Sequence, residues 1–294
     1  MTEPAPEHLT TRELAARLRL SERKIYDLAA QGEVPCVRLV GKLLFPRAEI
    51  DAWIAAARSG PVAPAPLPPI VAGSHDPLLD WALRDSGAGL AGYFDGSHDG
   101  LDRLSARQAQ AAGLHIREAE DWNVAAVAAR CGALPVTLIE VARRRRGLLT
   151  APGNPLGLAG PGDLAGRRVA RRQESAASHA MLDTALAQAG LSLADLPGPD
   201  RPARSEEDVA AMIREGAADA GLGLQSVAAA SGLGFVPLFW ERYDLAVWRQ
   251  AAFDPPLRTL LGFLAGAEAR ARAAAMTGYD LSDAGRVRWN APVP

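Results

Sequence analysis

The sequence predicts an α/β protein in two parts, a small helical unit at the N-terminus and a larger unit built on a mostly parallel sheet. Three observations predict it. Before residue 59, short amphipathic helical segments are separated by tight turns. Residues 59–69 hold five prolines in eleven positions, which forbids helix and sheet ladders and favours an extended spacer. Beyond residue 70, short apolar runs alternate with Ala/Leu-rich runs of helical period, the pattern of strands joined by crossover helices. A chain of 294 residues, 48% of them hydrophobic, is long enough for two or three folding units with cores of their own. The expected organisation is a first domain over residues 1–58, a linker over 59–69, and a second domain over 70–294.

The first helix starts at Thr10, whose hydroxyl and the Glu13 carboxylate three residues on make a capping box. Leu14 and Leu18 then share one face. A turn at Arg19-Leu20 leads to Ser21, an N-cap for a second helix with Ile25 and Leu28 facing inward and Gly32 as its C-cap. Two short helices across a tight turn are the helix-turn-helix plan, in which the start of the second helix reaches base edges or phosphates. Residues 37–40 and 43–45 flank Gly41-Lys42, giving a hairpin with a basic tip, and Pro46 opens a third helix through Asp51 and Trp53.

In the larger unit, strand-like runs at 70–73, 90–95, 136–141 (and on to Leu148-Leu149), 168–171 and 218–224 precede or separate helical runs at 78–84, 101–112, 180–189 and 226–230. In such sheets ligands sit beyond the carboxyl ends of the strands. The tetrapeptide GSHD occurs twice, at 73–76 and 96–99, each time where a strand gives way to a helix. Backbone N–H groups and a serine hydroxyl at a helix start suit an anion. The two turns are therefore read as two walls of one pocket; the flanking sequences do not otherwise match, so a duplicated domain is not indicated. The plain alternative for each serine is an N-cap. The run ARRRRG at 142–147 is read as a solvated face.

Composition narrows the function. Formal net charge is −2, which excludes a globally basic nucleic-acid binder but not a small DNA-reading module on an acidic remainder. Two cysteines far apart and without CxxC spacing suggest neither a disulfide framework nor a thiolate metal site. Four of the five histidines, His75, His98, His115 and His179, fall in strand-end loops, but no close pair has metal spacing, so no metal and no cofactor is expected. No apolar run reaches the roughly 18 to 20 residues of a membrane helix, and the N-terminus lacks a signal core, so a cytoplasmic protein is expected. No nucleophile elbow, phosphate loop, dinucleotide fingerprint or HExxH is present, so an enzyme is not expected.

Residues 9–54 resemble the small winged helix-turn-helix of the excisionase and mercury-regulator type, down to the ending VRLVGKLLFPRAEIDAWI. The resemblance implies that the second helix enters the major groove and that the wing meets backbone or minor groove. Its expected DNA-contacting residues are Thr11, Arg12, Ser21, Arg23, Lys24, Tyr26, Arg38 and Lys42, which include the chain's two lysines.

Residues 70–290 resemble the cytoplasmic relatives of periplasmic solute-binding proteins found fused to helix-turn-helix modules. The residues that carry this are GSHDPLLD at 73–80, GLLTAPGNP at 147–155, ADAGLG at 218–223 and WERYDL at 240–245. The resemblance implies a two-lobed, type II periplasmic-binding-protein-like domain: lobe I over about 70–142 and 245–294, lobe II over about 143–244, two crossover strands as hinge and a ligand between. It also implies serine hydroxyls and helix-start amides around a small oxyanion such as molybdate or tungstate, with Ser74 and Ser97 at the first two turns. The third turn departs from the pattern. Relatives carry an arginine and then Gly-Ser-Gly-Thr-Arg; here Glu174 precedes Ser175-Ala-Ala-Ser178, with His179 at the expected arginine. In the second turn His98 and Asp99 replace an apolar residue and a glycine. The candidate ligand residues are thus Ser74, His75, Ser97, His98, Asp99, Glu174, Ser175, Ser178, His179 and Tyr243.

These readings predict a one-component transcriptional regulator that binds an operator in double-stranded DNA and a small solute. A dimer or tetramer is expected, because one module of about 50 residues has a small footprint on DNA. The alternatives are a DNA-anchored accessory protein without a small ligand, and an enzyme of molybdenum-cofactor metabolism.

Overall fold

The computed structural model describes residues 7–57, 59, 65–119 and 121–292. Much of the proline-rich stretch, including residues 60–64, lies outside them. The chain forms two compact units, residues 1–65 and 66–294.

In the first unit, β1 (His8–Thr10), α1 (Thr11–Leu18), α2 (Glu22–Gln31), β2 (Val37–Leu39), β3 (Lys42–Pro46) and α3 (Arg47–Ala56) follow one another. The capping box forms: the Glu13 N–H donates to Thr10 Oγ1 and the Thr10 N–H to the Glu13 carboxylate. Arg19 then turns the chain out of α1 in the left-handed region, at φ 54°. Ser21 Oγ caps α2 by accepting from the Lys24 N–H, and Gly32 ends it at φ 72°. Strand β1 was not expected from the sequence; three residues long, it pairs with β3 to give an antiparallel order β1-β3-β2. Leu9, Leu14, Ile25, Phe45 and Ile50 close the core, each 4% exposed or less.

The second unit holds one sheet in the order β5-β4-β6-β10-β7-β9-β8. Its elements are β4 (Ile70–Gly73), α4 (Pro77–Asp85), β5 (Ala91–Phe94), α5 (Ser97–Ser105), β6 (Ala111–Leu114), α6 (Val124–Cys131), β7 (Val136–Thr150), β8 (Val169–Ala170), α7 (Ala177–Gln188), α8 (Glu206–Arg214), β9 (Ala220–Leu224), α9 (Gln225–Ala230), β10 (Gly234–Trp248), α10 (Pro255–Leu264), α11 (Ala267–Ala275), β11 (Tyr279–Asp280) and β12 (Val287–Asn290). Strand β4 runs parallel to β5 and β6, and β8 parallel to β9, whereas β10 is antiparallel to both β6 and β7. Strands β11 and β12 pair with β7.

Two lobes follow from the cores. One core joins Val71, Leu79, Leu101, Leu114, Leu138, Leu245 and Leu260. On the other side, Leu148, Leu164, Met181 and Leu222 cover one face of the sheet and Leu149, Val209, Ile213 and Leu224 the other. Strands β7 and β10, fifteen residues each and paired along their length, run through both. The expected helix at 101–112 stops at Ser105; Ala111–Leu114 is instead a fully buried strand. Its composition, AAGL, carries no alternation because both faces are covered.

Candidate functional site at the interlobe junction

The two GSHD turns meet. Each glycine takes the left-handed region, φ 104° at Gly73 and 109° at Gly96, and the Gly96 N–H donates to the Gly73 carbonyl at 3.1 Å. Ser74 Oγ and Ser97 Oγ are 2.8 Å apart, and the residues are 6% and 0% exposed. Ser97 Oγ also accepts from the His115 N–H at 3.2 Å. Whichever hydroxyl donates to the other, one hydroxyl hydrogen of the pair remains to be given.

The repeats are not equivalent beyond that. Asp76 of the first is the N-cap of α4: Oδ1 accepts from the Leu79 N–H at 2.7 Å, and Oδ2 accepts from Arg144 Nη1 at 2.9 Å and Tyr279 Oη at 2.6 Å. Asp99 of the second lies inside α5 and pairs with Arg103 one turn on, at 2.7 Å. Helix α5 begins after Gly96 and α7 after Ala176, neither with a side-chain cap. A Cβ on Gly96 would stand 3.2 Å from the Ser175 carbonyl oxygen, so the lobe I turn abuts the start of α7 from lobe II.

Between the lobes lies a buried charge network. The Arg144–Glu241 pair closes at 2.5 Å, Arg146 grips Glu241 in a fork at 2.7 and 2.9 Å, and Arg146 Nη2 reaches Glu206 at 2.7 Å. His115 Nδ1 lies 3.1 Å from Glu241 Oε2. The carboxylates thus lead from Asp76 in lobe I through the hinge to Glu206 at the start of α8 in lobe II. Arg144 and Arg146 belong to the ARRRRG run expected to be a solvated face. That expectation fails for half of it, because a strand alternates its sides. Arg144 and Arg146 are 1% and 0% exposed and point inward, whereas Arg143 faces solvent and Arg145 is half-buried. The signal lay in the partner strand, where WERYD pairs in register and sets Glu241 opposite Arg144. Among the described residues, Arg146 Nη1 and Arg144 Nε meet no acceptor.

Burial pushes the Glu241 carboxyl up, but Arg144, Arg146 and His115 outweigh it and hold it well below the usual range. Glu206, pushed up by burial, is likewise held low by Arg146 and Arg172. Burial lowers the His115 imidazole against the pull of Glu241. Burial raises Asp244 to about 6, although Arg242 and Asn123 bind it. His115, Glu206 and Glu241 all bind fewer protons folded than unfolded, so their contribution is present at neutral pH and is lost on acidification. It begins to fall below the ordinary histidine value of 6.5 and falls further below the ordinary glutamate value of 4.5. Asp244 acts in the opposite sense between about 6 and its ordinary 3.8. The urea midpoint is therefore expected to change little from pH 7 to 5 and to drop steeply below pH 4.5. A midpoint that holds to pH 3 would contradict this account of the network.

The other expected ligand residues are scattered. His75 is half-buried, edge-on to Phe94 with ring centroids 5.5 Å apart. His98 is exposed, as are Glu174 and Ser175, whereas Ser178 is buried. His179 Nδ1 is 2.8 Å from the Arg172 carbonyl, inside its own lobe. Tyr243 is fully buried beneath Arg144, and its hydroxyl donates to the Ser74 carbonyl at 2.6 Å, which makes it a support for the serine turn. Sequence reasoning missed Arg144, Arg146, Asp76, Glu206 and Tyr279. On the first unit, Arg12, Ser21, Arg23, Lys24, Tyr26, Arg38 and Lys42 are all exposed. Thr11 is 7% exposed and packs into the core, so its side chain is not offered to a partner.

A family model described as a PBP superfamily domain matches residues 81–265, and one described as a helix-turn-helix domain matches residues 9–58. The chain belongs to the PBP superfamily domain family. It joins a DNA-binding type of domain to a solute-binding type, neither of them an enzyme family. A similar curated protein is the uncharacterized protein YvgK of Bacillus subtilis (strain 168), 25% identical, with 95% of this chain and 96% of that protein aligned. A similar solved structure is a putative phosphate ABC transporter substrate-binding protein with bound phosphate from Clostridium perfringens. It superposes with a TM-score of 0.53 at 10% identity over 70% of this chain and 96% of that one, a likeness of fold alone. Among the described residues, no helix is long and apolar enough to cross a membrane.

Proposed function

We propose that the protein is a ligand-responsive transcriptional regulator acting in the cytoplasm: the first domain binds an operator, and the second closes its lobes on a small oxygen-rich anion. Molybdate and tungstate are the simplest members of that class. The observation that carries the reading is the meeting of Ser74 and Ser97 at the interlobe junction with one hydroxyl hydrogen to spare. The start of α7 supports it from the opposite lobe, and the unpartnered Nη1 of Arg146 adds a buried cationic donor. A ligand shifts the protein only by its differential affinity for the open and closed forms, so these groups must engage it in one form more than in the other. A homodimer or tetramer would pair the small DNA-reading domains on a repeated site.

Ser74→Ala combined with Ser97→Ala is expected to abolish the thermal stabilisation given by molybdate or tungstate while leaving DNA affinity intact. Arg23→Ala and Lys24→Ala are expected to do the reverse. Each removed phosphate contact should lower the slope of log affinity against log salt by about 0.9. Differential scanning fluorimetry and salt-dependent anisotropy on a duplex selected from random sequence measure the two arms. Equal loss of both activities in all the variants would contradict the separation of roles.

A further inference from the structure

We infer that the anion held at the junction carries an organic body, and that the body lies in a cavity between α5 and α7. This rests on the proposed function and narrows its ligand class. Of the two hollows between the lobes, about 450 and 420 Å³, the smaller is the one lined by His98, the residue after Ser97. Its lobe II wall is one stripe of α7: Ala177, Ala180, Met181, Thr184 and Gln188, spaced as neighbours on a single helical face. Its lobe I wall is His98 and the loop from Ile116 to Ala119.

Position ties this cavity to the anion site. His98 follows Ser97 in α5 and Ala177 opens α7, so the hollow is lined by the next residue in sequence after one of the paired serines and by the first residue of α7. A molecule gripped there by its acid group would extend along the stripe. Size then separates two kinds of ligand. Sites for organic molecules measure roughly 300–1,000 Å³. A tetrahedral oxyanion fills only a few water volumes of about 30 Å³ each and would leave most of this space to solvent.

The lining indicates the body's chemistry. Ile116, Ala177, Ala180 and Met181 give it an apolar surface, while Thr184 and Gln188 offer hydrogen bonds at the far end. The Glu118 carboxylate is held at the start of α6, where it accepts from the Ala125 and Ala126 N–H groups at 3.0 and 2.9 Å. Arg117 stands beside it, its guanidinium 4.9 Å above the Phe239 ring. The ligand class is therefore an organic phosphate or carboxylate with a compact apolar body.

The test is calorimetric titration of the full chain with three probes, sodium molybdate, inorganic phosphate and phenyl phosphate, on the native protein and on Ala180→Phe. Ala180 is an exposed position of α7, so the variant keeps its fold while its ring fills the hollow. Phenyl phosphate is expected to bind about tenfold or more tightly than either bare anion, and Ala180→Phe to remove that advantage while leaving the bare anions unchanged. Equal or tighter binding of molybdate or phosphate, or indifference of phenyl phosphate to Ala180→Phe, overturns the inference and leaves the regulator reading standing. Failure of all three probes to bind the native protein defeats both.

Discussion

Glu241→Ala is expected to destabilise the second domain by about 3–5 kcal/mol, the cost of removing one partner from a buried ion pair. Glu241 is the carboxylate shared by Arg144, Arg146 and His115. Around it, Arg144 also faces Asp76, and Arg146 and Arg172 also face Glu206. Its loss removes the one carboxylate, among the described residues, that both Arg144 and Arg146 hold. Asp76 still holds Arg144 and Glu206 still holds Arg146, so the domain folds but loses the tie across its hinge. Urea unfolding followed by tryptophan fluorescence reads the difference, with exposed Arg143→Ala as the control, expected within about 0.5 kcal/mol of the native protein. A loss below 1 kcal/mol in Glu241→Ala would show that the network contributes little to stability.

Gly73→Ala is expected to cost about 3 kcal/mol or more, through two effects that act together. Its backbone sits at φ 104°, where a side chain is strained by about 1–3 kcal/mol, and its new Cβ would stand 2.3 Å from the Gly113 carbonyl oxygen and 2.7 Å from the Gly113 nitrogen. Backbone cannot swing aside as a flexible side chain can, so overpacking adds about 1–3 kcal/mol. The displaced turn carries Ser74, so the variant should also lose its ligand-induced stabilisation. Gly32→Ala is the informative contrast: it too has positive φ, at 72°, but no atom lies within 4 Å of a Cβ there. Its cost should be only about 1 kcal/mol. Equal effects at the two glycines would refute the close approach of β4 to β6.

How much of this was legible in the sequence depended on whether the cue was local. The capping box of Thr10 and Glu13, the Ser21 cap and the Gly32 stop need only a few residues each, and all three form. The pairing of Ser74 with Ser97 was also within reach, because one short repeat marked two strand-to-helix turns. Strand β6 was hidden: four small or apolar residues buried on both faces have no period to read. The four-arginine run was misleading for a related reason. Charge suggests solvent, and only the register with β10 shows that alternate guanidiniums meet Glu241 and its neighbours. The caps Asp76 and Glu206 look like ordinary helix-start acids until the hinge arginines are seen beside them.

The central claim is that occupancy of the junction is reported to DNA. Its most direct test is the operator dissociation constant of the full chain, measured at fixed salt with and without saturating molybdate, inorganic phosphate or phenyl phosphate, on the native protein and on the Ser74→Ala, Ser97→Ala double variant. The account predicts a shift of about fivefold or more in the native protein for at least one of these anions, within the usual range of coupling between sites, and none in the double variant. Identical constants under every condition in both proteins would contradict it.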